Sequence, residues 1–176
     1  MRRLRYGVAM SLDGFIAGPN GEYDWIVSDP AMDFDGRFAQ FDILLMGRKT
    51  YEIAKTRQLS AGSQSQRWIV VSRTLKPEDH PGITVLRNDV AKAVTAMRAQ
   101  PGKDIWLMGG GVLFRFLLDA GLVDAVEVAV IPVLLGSGTP LLPEGRRCTL
   151  HLENSKALPS GILLLNYSVA LEPARA

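Results

Sequence analysis

The sequence predicts an α/β fold of three layers, a mainly parallel central sheet between helices, with antiparallel strands at the C-terminal end. Three observations predict it. From residue 5 to residue 121, short apolar runs alternate with segments of helical periodicity, the order that parallel βαβ units produce. After Gly121 the helical patterns cease and strand-like runs follow. The last two of these are joined across Pro159-Ser160-Gly161, a connection of turn length that suits antiparallel neighbours.

Each element has its own signal. RYGVAMSL (5–12) reads as a buried strand, and the glycine-rich DGFIAGPNGEYDW (13–25) as turn. In DPAMDFDGRFAQF (29–41), Phe34, Phe38 and Phe41 recur at helical spacing, so a helix is expected across them despite Gly36. DILLMG (42–47) reads as a strand and RKTYEIAK (48–55) as a short helix. RWIVVS (67–72) is a strand after the polar loop SAGSQSQ (60–66), and ITVL (83–86) is another. NDVAKAVTAMRAQPG (88–102) is the clearest helix: Val90, Ala93, Val94 and Met97 share a face, Asn88 or Asp89 can cap it, and Pro101-Gly102 stops it. DIWLMG (104–109) is a strand, followed by a helix from Gly110 to about Ala120 that Gly121 ends. DAVEVAVIPVLL (124–135), CTLHLENSKAL (148–158) and ILLLNYSVALE (162–172) read as strands.

A length of 176 residues fits a single domain over 1–176, and 47% hydrophobic residues supply a sizeable core. The net charge of +2 is scattered, which argues against nucleic acid as a partner. Cys148 is the only cysteine, so no internal disulfide can form, and a reducing cytoplasm is the expected setting. The opening MRRLRYGVAMSLDG meets charge and glycine too soon for a signal peptide's apolar region. No apolar run reaches the roughly 20 residues that span a bilayer, so no membrane partner is expected. His80 and His151 stand apart from other ligand types, so no metal site is expected. Cys148 is expected to be a buried, inert thiol.

Two corners carry the chemistry. In LLMGRKTYE, a strand ends at Gly47 and a helix opens at once with Arg48, Lys49 and Thr50. The first turn of a helix has unpaired N–H groups and a partial positive charge, and glycine lets a phosphate reach the backbone. The alternative is that Gly47 only turns the chain and the cations are solvated. In IWLMGGGVLFRFLL, Gly109, Gly110 and Gly111 remove three side chains at a second strand-to-helix corner, which indicates close approach by a ligand or close helix–strand packing. Phe114 stands where a dinucleotide fingerprint would need its last glycine. Ser72 and Arg73, in VVSRTL, sit at a third carboxyl end, where open α/β sheets bind ligands. Together the three corners indicate an anionic nucleotide.

Five segments in order, SLDGFIA, LLMGRKTYE, VVSRTL, LMGGGVLFRFLL and IPVLLGSGTPLL, carry a resemblance. The sequence resembles the dihydrofolate reductase-like superfamily, in the bacterial branch similar to the reductase domain of the bifunctional riboflavin-biosynthesis protein. The resemblance covers about residues 4–170. It implies a dihydrofolate reductase-like sheet with a reversed C-terminal strand, NADPH as cofactor and a homodimer. It also implies that Gly47, Arg48, Lys49 and Thr50 hold the diphosphate and part of the adenosine 2′-phosphate. Ser72 and Arg73 would complete the 2′-phosphate site, and Gly109, Gly110, Gly111, Val112 and Leu113 would cover the diphosphate. Ala9, Ile16 and Ala17 match positions that hold the nicotinamide. The sequence carries no motif of the zinc deaminase domain to which such reductases are commonly fused.

Hydride transfer to a small heterocycle needs one proton from a carboxyl or a water. Dihydrofolate reductases place an acid on the helix after the first long loop, and Asp33 is the nearest candidate here. Asp33 and Arg37 are also spaced as a surface pair, and Asp29 is an equal candidate for N-cap. Asp13 is either an acid at the lip of the nicotinamide pocket or a turn aspartate before Gly14. Trp25 and Phe34 are candidates to stack on the substrate ring, and Gly136 and Ser137 to shape its edge. The expected substrate is pteridine-like or the ribosylaminopyrimidine phosphate of riboflavin synthesis. The alternative is a nucleotide-binding module of the same fold that does not catalyse.

Overall fold

Ten strands and four helices form in the computed structural model, which describes residues 1–56 and 66–170. The strands are β1 (Leu4–Ser11), β2 (Phe15–Ala17), β3 (Phe41–Gly47), β4 (Arg67–Val71), β5 (Ile83–Leu86), β6 (Asp104–Gly109), β7 (Ala125–Ile131), β8 (Thr139–Pro140), β9 (Leu150–Ala157) and β10 (Leu163–Val169). The helices are α1 (Phe34–Phe38), α2 (Arg48–Thr56), α3 (Val90–Ala99) and α4 (Gly111–Asp119). Eight strands share one sheet in the order β5-β4-β3-β6-β1-β7-β10-β9, and β2 pairs with β8 apart from it. The first six in that order are parallel, while β10 runs antiparallel to both β7 and β9.

Both faces of the parallel region are covered, which is why its strands are apolar runs without alternation. Ile43 and Leu45 of β3 join Leu4, Tyr6, Ile105 and Leu107 on one face, against Val94 of α3 and Leu113, Phe114 and Leu117 of α4. Tyr6 stacks on Phe114 with ring centroids 3.8 Å apart. Leu44 and Met46 turn to the other face with Trp68, Val70 and Trp106, against Tyr51 and Ala54 of α2. These are the three layers. Along the outer edge every residue of β9 is exposed.

Several expectations need correction. The helix expected across 29–41 is only α1, and Phe41 opens β3, buried and paired in register with Asp104. The sheet's demand for an apolar strand start outweighs the helical spacing of the three phenylalanines. The turn region 13–25 contains β2, whose partner β8 is far along the chain. The strand expected over 124–135 ends at Ile131, since Pro132 has no N–H for a ladder bond. Asp89 holds the N-cap position of α3 in a left-handed conformation, φ 52°, but its side chain makes no capping bond. Residues 60–65 of the polar loop, and 171–172 of the last strand, lie outside the described residues.

Candidate functional site

Parallel neighbours present their carboxyl ends on one edge. Because β4, β3 and β6 are adjacent, with Gly47 in register with Val71 and Met46 with Gly109, the three carboxyl ends lie together on strands about 5 Å apart. The first two corners are therefore one place. A methyl on Gly47 would stand 3.8 Å from the backbone nitrogen of Gly110. Gly109 takes φ +136°, which only glycine adopts easily, and a methyl there would meet Thr50 Oγ1 at 3.2 Å. The N-cap of α4 is Gly110, so no side chain covers the first-turn N–H groups of that helix.

The charges at this edge differ from one another. Arg48 is exposed and pairs with Glu52 one turn on, Nη1 to Oε1 2.8 Å. Lys49 and Arg73 are exposed and form no ion pair among the described residues. Ser72 is buried, and its Oγ accepts from the N–H groups of Thr74 (3.2 Å) and Leu75 (3.0 Å). It shapes the turn that presents Arg73 and keeps its hydroxyl hydrogen as a donor. The third glycine differs from the other two. A methyl on Gly111 would press on the carbonyl oxygens of Pro140 (3.0 Å) and Leu141 (3.2 Å), so this glycine serves close packing. Val112 is exposed and Leu113 belongs to the core.

A second cluster forms the lip beside β1. Asp13 accepts from the Ser11 hydroxyl (2.6 Å), from Leu135 N–H (3.0 Å to Oδ2) and from Gly136 N–H (2.7 Å). The Ser11 hydroxyl, then the Gly136 and Leu135 amides, hold its carboxyl below the usual carboxylate range. Asp13 is thus an ionised acceptor joining two loops, and a poor proton donor. β2 and β8 join the same loops, and Gly138 lies against the Ala17 carbonyl. Ile16, Ala17 and Ala9 are half-buried around this lip, while Ser137 is exposed.

The segment before β3 is built differently from expectation. Asp33 is the N-cap of α1, accepting from Gly36 N–H at 2.8 Å, and is exposed. Asp29 is buried instead and accepts from the backbone of Ala31 (2.7 Å) and Ser160 (3.1 Å); the Ser160 hydroxyl first, then these amides, lower its pKa. Arg37 does not pair with Asp33. It reaches Glu127 on β7, Nη2 to Oε2 2.9 Å, with its guanidinium over the Trp106 ring at 4.5 Å. The other Glu127 oxygen accepts from Arg5 Nε at 2.6 Å, and Arg5 also donates to Gln40 at 2.9 Å. Burial pulls the Arg37 pKa below its ordinary value, and Glu127 opposes that shift. Sequence reading missed this cluster, although a glutamate inside the apolar run AVEVAVI was its signal. Trp25 packs on Ile131, Leu158 and Ile162, while Phe34 is exposed.

Among the described residues no three His, Cys, Asp or Glu side chains gather as metal ligands. His80 Nδ1 lies 3.1 Å from the Tyr51 hydroxyl. Cys148 is half-exposed rather than buried. No helix of the described residues is long and apolar enough to cross a membrane.

Comparison with known proteins places this geometry. A family model for the RibD C-terminal domain matches residues 2–164. The uncharacterized protein YyaP of Bacillus subtilis (strain 168) is 34% identical over 178 residues, covering 94% of each chain. The riboflavin biosynthesis protein RibD of Mycobacterium tuberculosis (strain ATCC 25618 / H37Rv) is 31% identical over 145 residues, which cover 73% of this chain but 41% of that protein. A Shewanella sp. PV-4 structure named for riboflavin biosynthesis superposes with a TM-score of 0.81 at 23% identity, covering 96% of this chain and 99% of that one. Dihydrofolate reductase from Enterococcus faecalis, solved with NADP(H), superposes with a TM-score of 0.68 at 19% identity, covering 95% and 96%. At such identities the two structures speak for the fold. With the family match running over nearly all of the sheet that builds the site, the chain belongs to the RibD C-terminal domain family and shares its fold with dihydrofolate reductase.

Proposed function

We propose that the chain is an NADPH-dependent reductase of a small heterocyclic compound. The observation that carries this reading is the merging of two glycine corners into one bare backbone edge, Gly47 beside Gly109 and Gly110, flanked by the free cations of Lys49 and Arg73. The residues fit the cofactor, because a Cβ on Gly47 would fill the gap between the corners and the first-turn amides of α2 and α4 open there. The diphosphate rests against Gly47, Gly109 and Gly110, with Thr50 beside them. Arg73 takes the 2′-phosphate, since a guanidinium forks onto phosphate oxygens and makes no competing ion pair here. Lys49 adds charge without direction. Ala9, Ile16 and Ala17 border the nicotinamide, and the Asp13 clamp holds the two loops of that lip together.

When bound, NADPH supplies the hydride. The chain orients the ring. Asp13 and Asp33 are both engaged with N–H groups, so water delivers the proton. The relatives named for riboflavin biosynthesis are in keeping with the ribosylaminopyrimidine phosphate or a pteridine-like ring as substrate.

The engagement of both acids also supports a second reading, a module that binds NADPH and does not reduce anything. One experiment separates the two. NADPH and NADH are titrated by fluorescence, then reducible pterins and pyrimidines are screened for loss of nicotinamide absorbance. A reductase binds NADPH more tightly than NADH and consumes it with at least one ring class. Tight binding without turnover across the screen favours the module, and equal weak binding of both dinucleotides rejects both readings.

A further inference from the structure

The cover over the face of the sheet that carries Gly7, Ala9, Glu127 and Ala129 is incomplete. Trp25 and Met32 pack beside Ile131 and Ile162 on one side. Phe38 of the five-residue helix α1 packs near Trp106 on the other. Between them, Ala9 and Ala129 face each other in register on β1 and β7, two inner strands, yet neither is fully buried. This leaves a window with a flat floor.

Arg37 stands at one end of the window, and its position is over-determined. Its guanidinium lies where a side chain at Gly7 would be, so only glycine fits beneath it. The Trp106 ring supports it at 4.5 Å, and Trp106 is itself fixed by donating to the Gly7 carbonyl at 3.0 Å. Glu127 anchors it at 2.9 Å, is 7% exposed, and leaves Oε2 without a partner in hydrogen-bond geometry. The Arg37 side chain nevertheless keeps 27% of its surface exposed. Burying two arginines around one carboxylate is a poor way to gain stability. It is a good way to hold a planar fork of N–H donors still.

We propose that Arg37 binds the oxygen edge of the substrate, so that the window over Ala9 and Ala129 selects flat heterocycles bearing ring keto groups. The assignment rests on the reductase reading for its location beside the nicotinamide lip. Arg37 offers only donors, so it donates to a keto oxygen and has no acceptor for an amino group in the same place.

The test uses two probes of one shape, pteridine-2,4-dione and 2,4-diaminopteridine, in equilibrium dialysis against the intact protein with and without NADPH. The native protein is expected to bind the dione at least tenfold more tightly than the diamine. Arg37→Gln is expected to abolish that preference while NADPH affinity holds, with a lowered melting temperature from the lost contact to Glu127. If Arg37→Gln fails to fold, Arg37→Lys, which keeps the charge beside Glu127 but loses the fork, is expected to reduce the preference severalfold. The proposal is overturned if the native protein binds neither probe or shows no preference, or if the variant that folds keeps the full preference. Keto preference with no NADPH binding in any protein would sink the reductase reading alone and leave Arg37 assigned.

Discussion

Asp13 shows how one carboxylate acquires a role that its neighbours in sequence do not announce. Its pKa is depressed in the folded chain, so the clamp is complete above the ordinary carboxyl value of about 4 and is lost as pH falls through the lower folded value. Amide exchange of Leu135 and Gly136 is therefore expected to quicken only under acid in the native protein. In Asp13→Asn an amide group faces those donors, and exchange is expected to be fast at neutral pH; unchanged protection in that variant would contradict the clamp. Both roles of Asp13 stayed open in the sequence because its two amide donors arrive from 122 and 123 residues away. At the other end of the site, Arg73 and Arg48 are both arginines after a strand, but Arg48 is paired with Glu52. A charge-assisted hydrogen bond is worth about 1.5–3 kcal/mol. Arg73→Ala is thus expected to weaken NADPH at least tenfold and leave NADH unchanged, and Arg48→Ala to weaken NADPH less; calorimetric titration of each variant with both dinucleotides measures it.

The strand-to-helix corner is the element on which the proposed cofactor site rests, and its glycines divide by what surrounds them. Gly47 has only the Gly110 nitrogen nearby, at 3.8 Å. Gly47→Ala is expected to change stability by less than about 0.5 kcal/mol, yet to lower NADPH affinity at least tenfold, because the methyl stands where the diphosphate approaches. Gly111 is pressed on two carbonyl oxygens, so Gly111→Ala is expected to destabilise by about 1–3 kcal/mol, the ordinary range for overpacking. Melting curves alongside NADPH titrations check the contrast, and similar losses of stability in both variants would contradict it. The corners themselves were legible, because a strand-length apolar run followed by glycine and then helical spacing is local information. The functions of the single glycines were not, because the segment that presses on Gly111 comes from residues 140–143. Phe41 failed for the same reason, as a strand position dictated by a partner strand and not by Phe34 and Phe38.

Across the whole molecule, the parallel order follows from alternating strand and helix signals, and the reversed C-terminal strands from the loss of helices after Gly121. The order of strands within the sheet has no such local signal, and it is the order that makes β4, β3 and β6 neighbours and merges their carboxyl ends. The buried cluster of Arg5, Arg37 and Glu127 spans β1, α1 and β7, so it was invisible until those elements met. Removing one member of a buried pair costs about 3–5 kcal/mol. Arg5 retains Gln40 and Asp104 as neighbours, so Glu127→Ala is expected near the lower end, read as a fall in the urea midpoint; a midpoint shift within error would contradict a structural role for the pair. In the proposed function one edge of the sheet grips a phosphorylated dinucleotide, and a crystal structure of the chain grown with NADPH tests it directly. Diphosphate density is expected against Gly47, Gly109 and Gly110, with the 2′-phosphate on Arg73. Well-ordered NADPH bound elsewhere, or that edge empty at saturating cofactor, would contradict it.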